Sequence, residues 1–168
     1  TYSEHSVSDA GVVSKKGSKL TSLELVGKEV EYNSDLNQGG GIGFLPACYR
    51  DETGRSTIEV HKIDDGIHGV LADGASALTP LTDTKGKSWS GAPIGIKSDG
   101  AGYSMITEKV SKKGVSSYLE YNVTSSGSVS KKGSKLTSLE LVGKEVEYNS
   151  DLNQGGGIGF LPACYRDE

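Results

Sequence analysis

The residues best suited to chemistry lie in a short glycine-rich stretch near the end of the chain. Asp151 and Asn153 carry side-chain oxygens two positions apart, and Gly156 follows them. A calcium-binding loop of the EF-hand type has oxygen ligands at positions one, three and five, a glycine at six and a bidentate glutamate at twelve. Positions one, three and six match this pattern, whereas the fifth is Gly155 and the twelfth is Pro162.

The same stretch occurs earlier in the chain, where Asp35 and Asn37 hold the equivalent positions. One interpretation is a weak calcium site at Asp151 and Asn153, with a second at Asp35 and Asn37. The alternative is a loop without metal, whose glycines end the preceding helix because they adopt the left-handed conformation easily. We therefore predict no cofactor, with Ca²⁺ as the one alternative.

Each copy of this region also contains one cysteine. Cys48 and Cys164 occupy equivalent positions, so neither copy can form a disulfide within itself. One interpretation is a small thiol packed like an apolar residue. The other is a cross-link between neighbouring modules or between chains, which only an oxidising compartment would preserve.

The duplication extends well beyond the loop. Residues 13–52 recur letter for letter as residues 129–168, 116 positions later, and residues 1–12 align loosely with residues 117–128. Identity at a fixed period is typical of tandem arrays, in which each unit stacks on its neighbours. The alternative is an engineered duplication of one segment, although that would not normally leave a half-similar stretch beside an identical one.

The period divides the chain into three parts. Residues 1–43 correspond to the C-terminal part of one repeat, residues 44–159 to a complete repeat and residues 160–168 to the start of the next. We predict that the neighbouring repeats are the main partners of each unit and that chains of this kind can polymerise. Contact with a surface glycan is a further expectation.

Composition excludes several classes of protein. The net charge is −4 and the lysines are interspersed with acidic residues, which argues against nucleic acid as a partner. No apolar run approaches the roughly 20 residues needed to cross a bilayer. No nucleophile, acid–base pair or metal cluster recurs with the repeat, so we predict that the protein is not an enzyme.

Short strands and one helix are the elements that would carry the loop. Alternating β-branched residues at 56–63 and 67–72, separated by an Asp-Asp-Gly turn, predict one hairpin. Residues 102–110 and 115–124 predict a second hairpin, and residues 128–131 a short third strand.

The helix is predicted just before the loop. Thr137 and Glu140 have the spacing of a capping box, in which each side chain binds the other's backbone amide. The apolar residues that would face the sheet recur at spacings of three and four, namely Leu136, Leu139, Val142 and Val146. We expect a helix over residues 136–148 and its copy over residues 20–32. The predicted class is α+β, a small antiparallel sheet with one amphipathic helix and a glycine-rich EF-hand-like loop, tandemly repeated.

Several motifs in this order resemble a known family, the tryptophan-rich C-terminal repeat of large haemolysin-type, calcium-associated surface proteins of cyanobacteria and other bacteria. The motifs that carry the resemblance are Trp89, Ala92-Pro93-Ile94-Gly95, Gly102-Tyr103, residues 118–122, Leu136 with Leu139-Glu140, and the Asp-Leu-Asn-x-Gly-Gly-x-Ile-Gly stretch. This chain differs from the family in having one tryptophan, in placing Tyr121 where another would stand, and in lacking the second aspartate of the loop. The resemblance implies an extracellular, cell-surface repeat of an adhesin, motility or filament protein.

Overall fold

The computed structural model describes residues 2–37, 45, 47–64, 66–75 and 77–161. Within these residues the chain forms antiparallel sheets and two helices, which confirms the predicted α+β class. The chain divides into two compact units, Thr1–Ala47 and Cys48–Glu168, called here the N-terminal unit and the C-terminal unit. Neither helix in the described part of the chain has the length and apolar character needed to cross a membrane.

The N-terminal unit consists of a two-stranded sheet followed by a helix. Its elements in chain order are β1 (Tyr2–Glu4), β2 (Ser18–Leu20) and α1 (Ser22–Tyr32). The Thr21 hydroxyl accepts the amide of Glu24, and the Glu24 carboxylate accepts the amide of Thr21, so the predicted capping box is present. The helix ends at Asn33, whose left-handed backbone satisfies the last carbonyl groups.

The remaining strands form two four-stranded sheets, whereas the sequence predicted a single small sheet. The first has the strand order β3-β4-β5-β6, with β3 (Ala47–Arg50), β4 (Glu59–Asp64), β5 (Ile67–Leu71) and β6 (Thr79–Pro80). The second has the order β10-β9-β8-β7, with β7 (Pro93–Ser98), β8 (Gly102–Val110), β9 (Ser116–Thr124) and β10 (Ser134–Leu136). It is followed by α2 (Ser138–Tyr148).

The second sheet is covered on both faces, which makes the C-terminal unit a three-layer structure. Met105 on one face packs with Val60, Val70 and other residues of the first sheet and its flanking loops. The adjacent Ile106 points the opposite way and packs with Leu141 and Tyr148 of α2. Two consecutive fully buried residues indicate a strand with no solvent face. The sequence prediction allowed for only one covered face.

The strands agree with the predictions in two hairpins and differ in one strand. The β4–β5 and β8–β9 pairs are the two predicted hairpins. The strand predicted at residues 128–131 is wrong, because Ser128 and Val129 make only isolated bridges. The third strand is instead β10, a few residues later, which pairs with β9 with Leu136 opposite Tyr118.

Both predicted helices are present, but each begins two residues later than predicted because Leu136 and Leu20 end strands β10 and β2, and the predicted buried face is wrong. The side chains of Leu139 and Val146 are 74% and 68% exposed. The buried residues of α2 are instead Leu141, Glu145 and Tyr148, which also recur at spacings of three and four. The apolar pattern misled because the helix buries a glutamate and a tyrosine whose polar groups find partners in the fold.

Candidate functional site

The loop that follows α2 closes around two carboxylates. Glu145 is fully buried, and its two oxygens accept the backbone amides of Asn153 at 3.0 Å and Gly159 at 2.8 Å. Asp151 accepts the amides of Gly155 at 2.9 Å and Gly156 at 3.1 Å. Backbone donors that no helix or strand uses are thereby satisfied, so these two side chains fix the path of the loop.

The predicted ligands Asp151 and Asn153 lie in this loop but have different surroundings. The Asp151 carboxylate binds two amides, whereas Asn153 donates from Nδ2 to the carbonyl of Phe160 at 2.9 Å. Asn153 Oδ1 is buried and accepts no hydrogen bond from the described part of the chain. Among the described residues, no group of three or more His, Cys, Asp or Glu is arranged to hold a metal ion. Calcium binding stays a prediction.

The first copy of the loop is described only in part. Asp35 and Asn37 are at its start, and the amide of Asn37 donates to Glu29 at 2.9 Å, as the amide of Asn153 does to Glu145. The other predicted positions of this copy, residues 38–43, lie outside the described residues.

The two cysteines predicted as cross-link sites differ in what the structure describes. Cys48 lies in β3 and is an exposed free thiol. Cys164 lies outside the described residues. Exposure removes the interpretation of Cys48 as a packed apolar residue, and a cross-link through it stays a prediction.

A tyrosine, a glutamate and a lysine join the helix to the sheet in the C-terminal unit. The Tyr148 hydroxyl donates to Glu120 of β9 at 3.0 Å, and Lys144 binds the other oxygen of Glu120 at 3.1 Å. Lys97 of β7 binds Glu147 at 2.9 Å and lies 5.0 Å above the Tyr148 ring. Burial, reinforced by the charge of Glu120, raises the pKa of Tyr148, while Lys97 and then Lys144 lower the pKa of Glu147.

The same arrangement is present in the N-terminal unit. The Tyr32 hydroxyl donates to Glu4 of β1 at 3.2 Å. Lys28 binds both Glu4 and Glu31 at 2.8 Å, and its hydrogen bond lowers the pKa of Glu4. Glu4, Lys28, Glu31 and Tyr32 each lie 116 residues before their counterparts, so the described contacts between helix and strand are the same in both units.

The two copies differ in what covers the helix. Tyr148 and Leu152 are 1% and 6% exposed, whereas their counterparts Tyr32 and Leu36 are 57% and 39% exposed. The uncovered face forms an open groove of about 380 Å³. Its apolar lining, called here the helix groove, consists of Tyr2, Leu20, Leu25, Tyr32 and Leu36. Exposed apolar faces of this kind occur at interaction surfaces and in ligand-binding grooves.

The close contact between α2 and the sheet depends on a glycine. A Cβ atom at Gly95 of β7 would lie 2.7 Å from Cδ2 of Leu152 and 3.4 Å from Cδ1 of Tyr148. A side chain at this position would therefore require the buried Leu152 side chain to shift. Sequence reasoning placed Gly95 in a family motif without this role, and it did not identify Glu145 or Tyr148 at all. The spacing of Leu141, Glu145 and Tyr148 by four and three residues was the one sign in the sequence that they share a helix face.

Comparison with protein-family models, with curated proteins and with solved structures finds no match for this chain. The resemblance to the tryptophan-rich repeat therefore rests on its sequence motifs alone.

Proposed function

We propose that this chain is part of a tandem-repeat protein whose units pack against one another, a structural module of an extracellular surface or filament protein and not an enzyme. The observation that carries the proposal is the helix groove, which is open in one copy of the segment and covered in the other. The extracellular setting is supported by the motif resemblance.

Energetics favour covering of the helix groove. Burying apolar surface contributes roughly 25 cal/mol per Å² removed from water, so an open groove loses stabilisation that its counterpart gains. The N-terminal unit has the same capping box and tyrosine–glutamate pair as the covered copy. Its groove is therefore lined in the same way as the face that is covered in the C-terminal unit. In repeat arrays, such interfaces between neighbours supply much of the stability.

Lengthening the chain tests this proposal. Residues 53–168 appended after Glu168 add one further period in register, because residues 13–52 and 129–168 are identical. We expect the melting temperature to rise with each added period, since each adds interfaces. The matched control appends the same residues through a long Gly/Ser linker, which breaks the register and should remove the gain. A melting temperature that does not depend on copy number would contradict the array.

A second candidate function is weak calcium binding by the loop after α2. It is favoured by Asn153 Oδ1, a buried oxygen with no hydrogen-bond donor in the described residues, in the same loop as the Asp151 carboxylate. Calorimetric titration with CaCl₂ tests it, with Asn153→Ala as the control that removes the oxygen. Absence of heat at millimolar Ca²⁺, or equal heat from the variant, would exclude this site.

A further inference from the structure

The structure contains a complete example of how the helix groove is filled. In the C-terminal unit, β7 and β8 form a hairpin that covers the same face of α2. Ile106 packs with Leu141 and Tyr148, Gly95 allows close approach, and Lys97 binds Glu147. A β-hairpin with these three features thus covers this face, together with Tyr118 of β9 and Leu136 of β10.

The edge of β1 is available for the same pairing. β9 pairs with β10 on one side and with β8 on the other, with Tyr118 opposite Glu108 and Glu120 opposite Ile106. β1 pairs only with β2 among the strands that the structure describes. An unpaired strand edge beside an apolar groove accepts an added strand, because backbone hydrogen bonds and side-chain burial then act together.

Within β1 the one difference from β9 is Ser3 in place of Leu119, on the face that points away from the helix. Tyr2 and Glu4 match Tyr118 and Glu120, and the glutamate in both copies binds the helix tyrosine. Tyr121, in contrast, packs edge-on against Trp89 in the core between the two sheets, and its counterpart is His5. The helix side of β1 is therefore preserved, whereas the other side keeps Val7 at the position of Val123 but has His5 at that of Tyr121. The expected occupant of the helix groove is a hairpin.

The number of hairpins in the chain indicates where the hairpin that fills the helix groove comes from. Each chain has one β7–β8 hairpin and two helix faces, and β8 is already paired with β9 along its whole length. A second copy of this chain would have to withdraw its hairpin from its own α2 in order to cover α1 of the first copy. No apolar surface would be buried on balance. A further hairpin must therefore come from a part of the parent chain outside residues 1–168. Only residues 111–115 separate β8 from β9, so a hairpin directly before β1 would reach the groove through an equally short turn.

We infer that the helix groove is the docking site for a β7–β8-type hairpin from the part of the same repeat that precedes Thr1 in the parent chain, and that this hairpin pairs with the edge of β1 that no described strand occupies. This inference rests on the proposed function and names the partner surface.

The test adds the missing hairpin. A copy of residues 91–116 is joined directly before Thr1, which aligns with Ser117, and hydrogen exchange is followed by mass spectrometry. Residues 2–12 occur once in the extended chain, so their peptide is assigned without ambiguity, unlike those of the duplicated segment. We expect the β1 amides to exchange at least tenfold more slowly in the extended chain. Unchanged exchange in β1 would overturn the inference.

A matched control has Ile106→Asp and Gly95→Val in the added copy only. It retains the length and turn of the extension but cannot fill the groove, so the β1 amides should exchange as in the unextended chain. Equal protection by both extensions would overturn the inference, because protection would then not depend on docking. Dimers of the unextended chain that protect β1 and expose β9 would assign the groove to a second copy instead.

The two proposals fail separately. Lengthened chains that gain stability while the hairpin leaves β1 unprotected would retain the array and reject this occupant. Protection of β1 by the hairpin, without any gain in the lengthened chain, would retain the docking site and reject the array.

Discussion

Tyr32 and Tyr148 are the same residue in the same local sequence, and each donates to the glutamate of a neighbouring strand. Their environments nevertheless differ, because one ring lies in an open groove and the other in a core. A hydrogen bond contributes more when breaking it leaves a buried group unsatisfied. The contribution of the hydroxyl group is therefore set by the hairpin above it and not by the pair itself.

Substituting each tyrosine with phenylalanine measures this difference. For Tyr148→Phe we expect a loss of about 1–2 kcal/mol in the free energy of unfolding, because the half-buried Glu120 then loses a donor that water does not readily replace. For Tyr32→Phe we expect a change within about 0.5 kcal/mol, since water replaces the hydroxyl. Urea unfolding followed by Trp89 fluorescence measures the first, and exchange of the β1 amides measures the second. Equal losses of unfolding free energy at the two sites would show that the hairpin over Tyr148 does not affect the contribution of its hydroxyl group.

Asp51 illustrates a buried carboxylate with an effect on pH dependence. Burial opposes its ionisation, but hydrogen bonds from Ser56, Thr53 and the amide of Ser98 outweigh that effect and lower its pKa from the ordinary 3.8. A carboxyl group with a lowered folded-state pKa stabilises the fold above 3.8, and this stabilisation is lost as the pH falls through the folded value.

The pH dependence of Asp51→Asn follows from that sign. At pH 7 we expect the variant to lose roughly 1–3 kcal/mol, because an amide cannot accept all of the donors around it. Below pH 4 the difference from the unsubstituted chain should shrink as Asp51 becomes protonated. Urea midpoints from pH 7 to pH 2 measure it, with Asp99→Asn in an exposed turn as the control. A constant difference at all pH values would contradict the role of ionisation.

At the scale of elements, the sequence predicted what local rules determine. The two hairpins follow from alternation and glycine turns, and Thr137 with Glu140 forms the predicted capping box. The buried face of α2 could not be predicted from apolar spacing, because Glu145 is buried with loop amides as its partners. The second sheet was missed because β8 is covered on both faces. The loop positions 151 and 153 were identified, but not the glutamate that anchors them.

That glutamate gives a prediction for the loop as an element. In Glu145→Gln, one of the two oxygens that accept the amides of Asn153 and Gly159 becomes an NH₂ group facing another donor. We expect a loss of about 1–3 kcal/mol and faster exchange of amides in the loop after α2, while β8 and β9 remain protected. Glu147→Gln, on the exposed side of the same helix, is the matched control. An unchanged loop in Glu145→Gln would show that the carboxylate does not hold it.

At the scale of the whole molecule, the two units have unequal cores. Among the side chains of the N-terminal unit whose burial is described, Leu25 is the one buried apolar residue, whereas the C-terminal unit contains two apolar clusters. Segments of about 40 residues or fewer seldom fold without a disulfide, a metal or a partner. The N-terminal unit, with its groove open, should therefore be the less stable part of the chain.

Unfolding in urea tests whether the N-terminal unit is less stable than the C-terminal unit, because each unit has a separate probe. Trp89 is the only tryptophan in the chain and lies against the core of the C-terminal unit, so its fluorescence reports that unit. Exchange of the peptide from residues 2–12 reports the N-terminal unit. We expect β1 to lose protection at a lower urea concentration than the Trp89 transition. Gly27→Ala, at an open position in α1, should stabilise the helix by roughly 1 kcal/mol and shift only the first transition. Coincident transitions that shift together would mean that the N-terminal unit is held by the rest of the chain, and the open groove would then have no energetic need of a further hairpin.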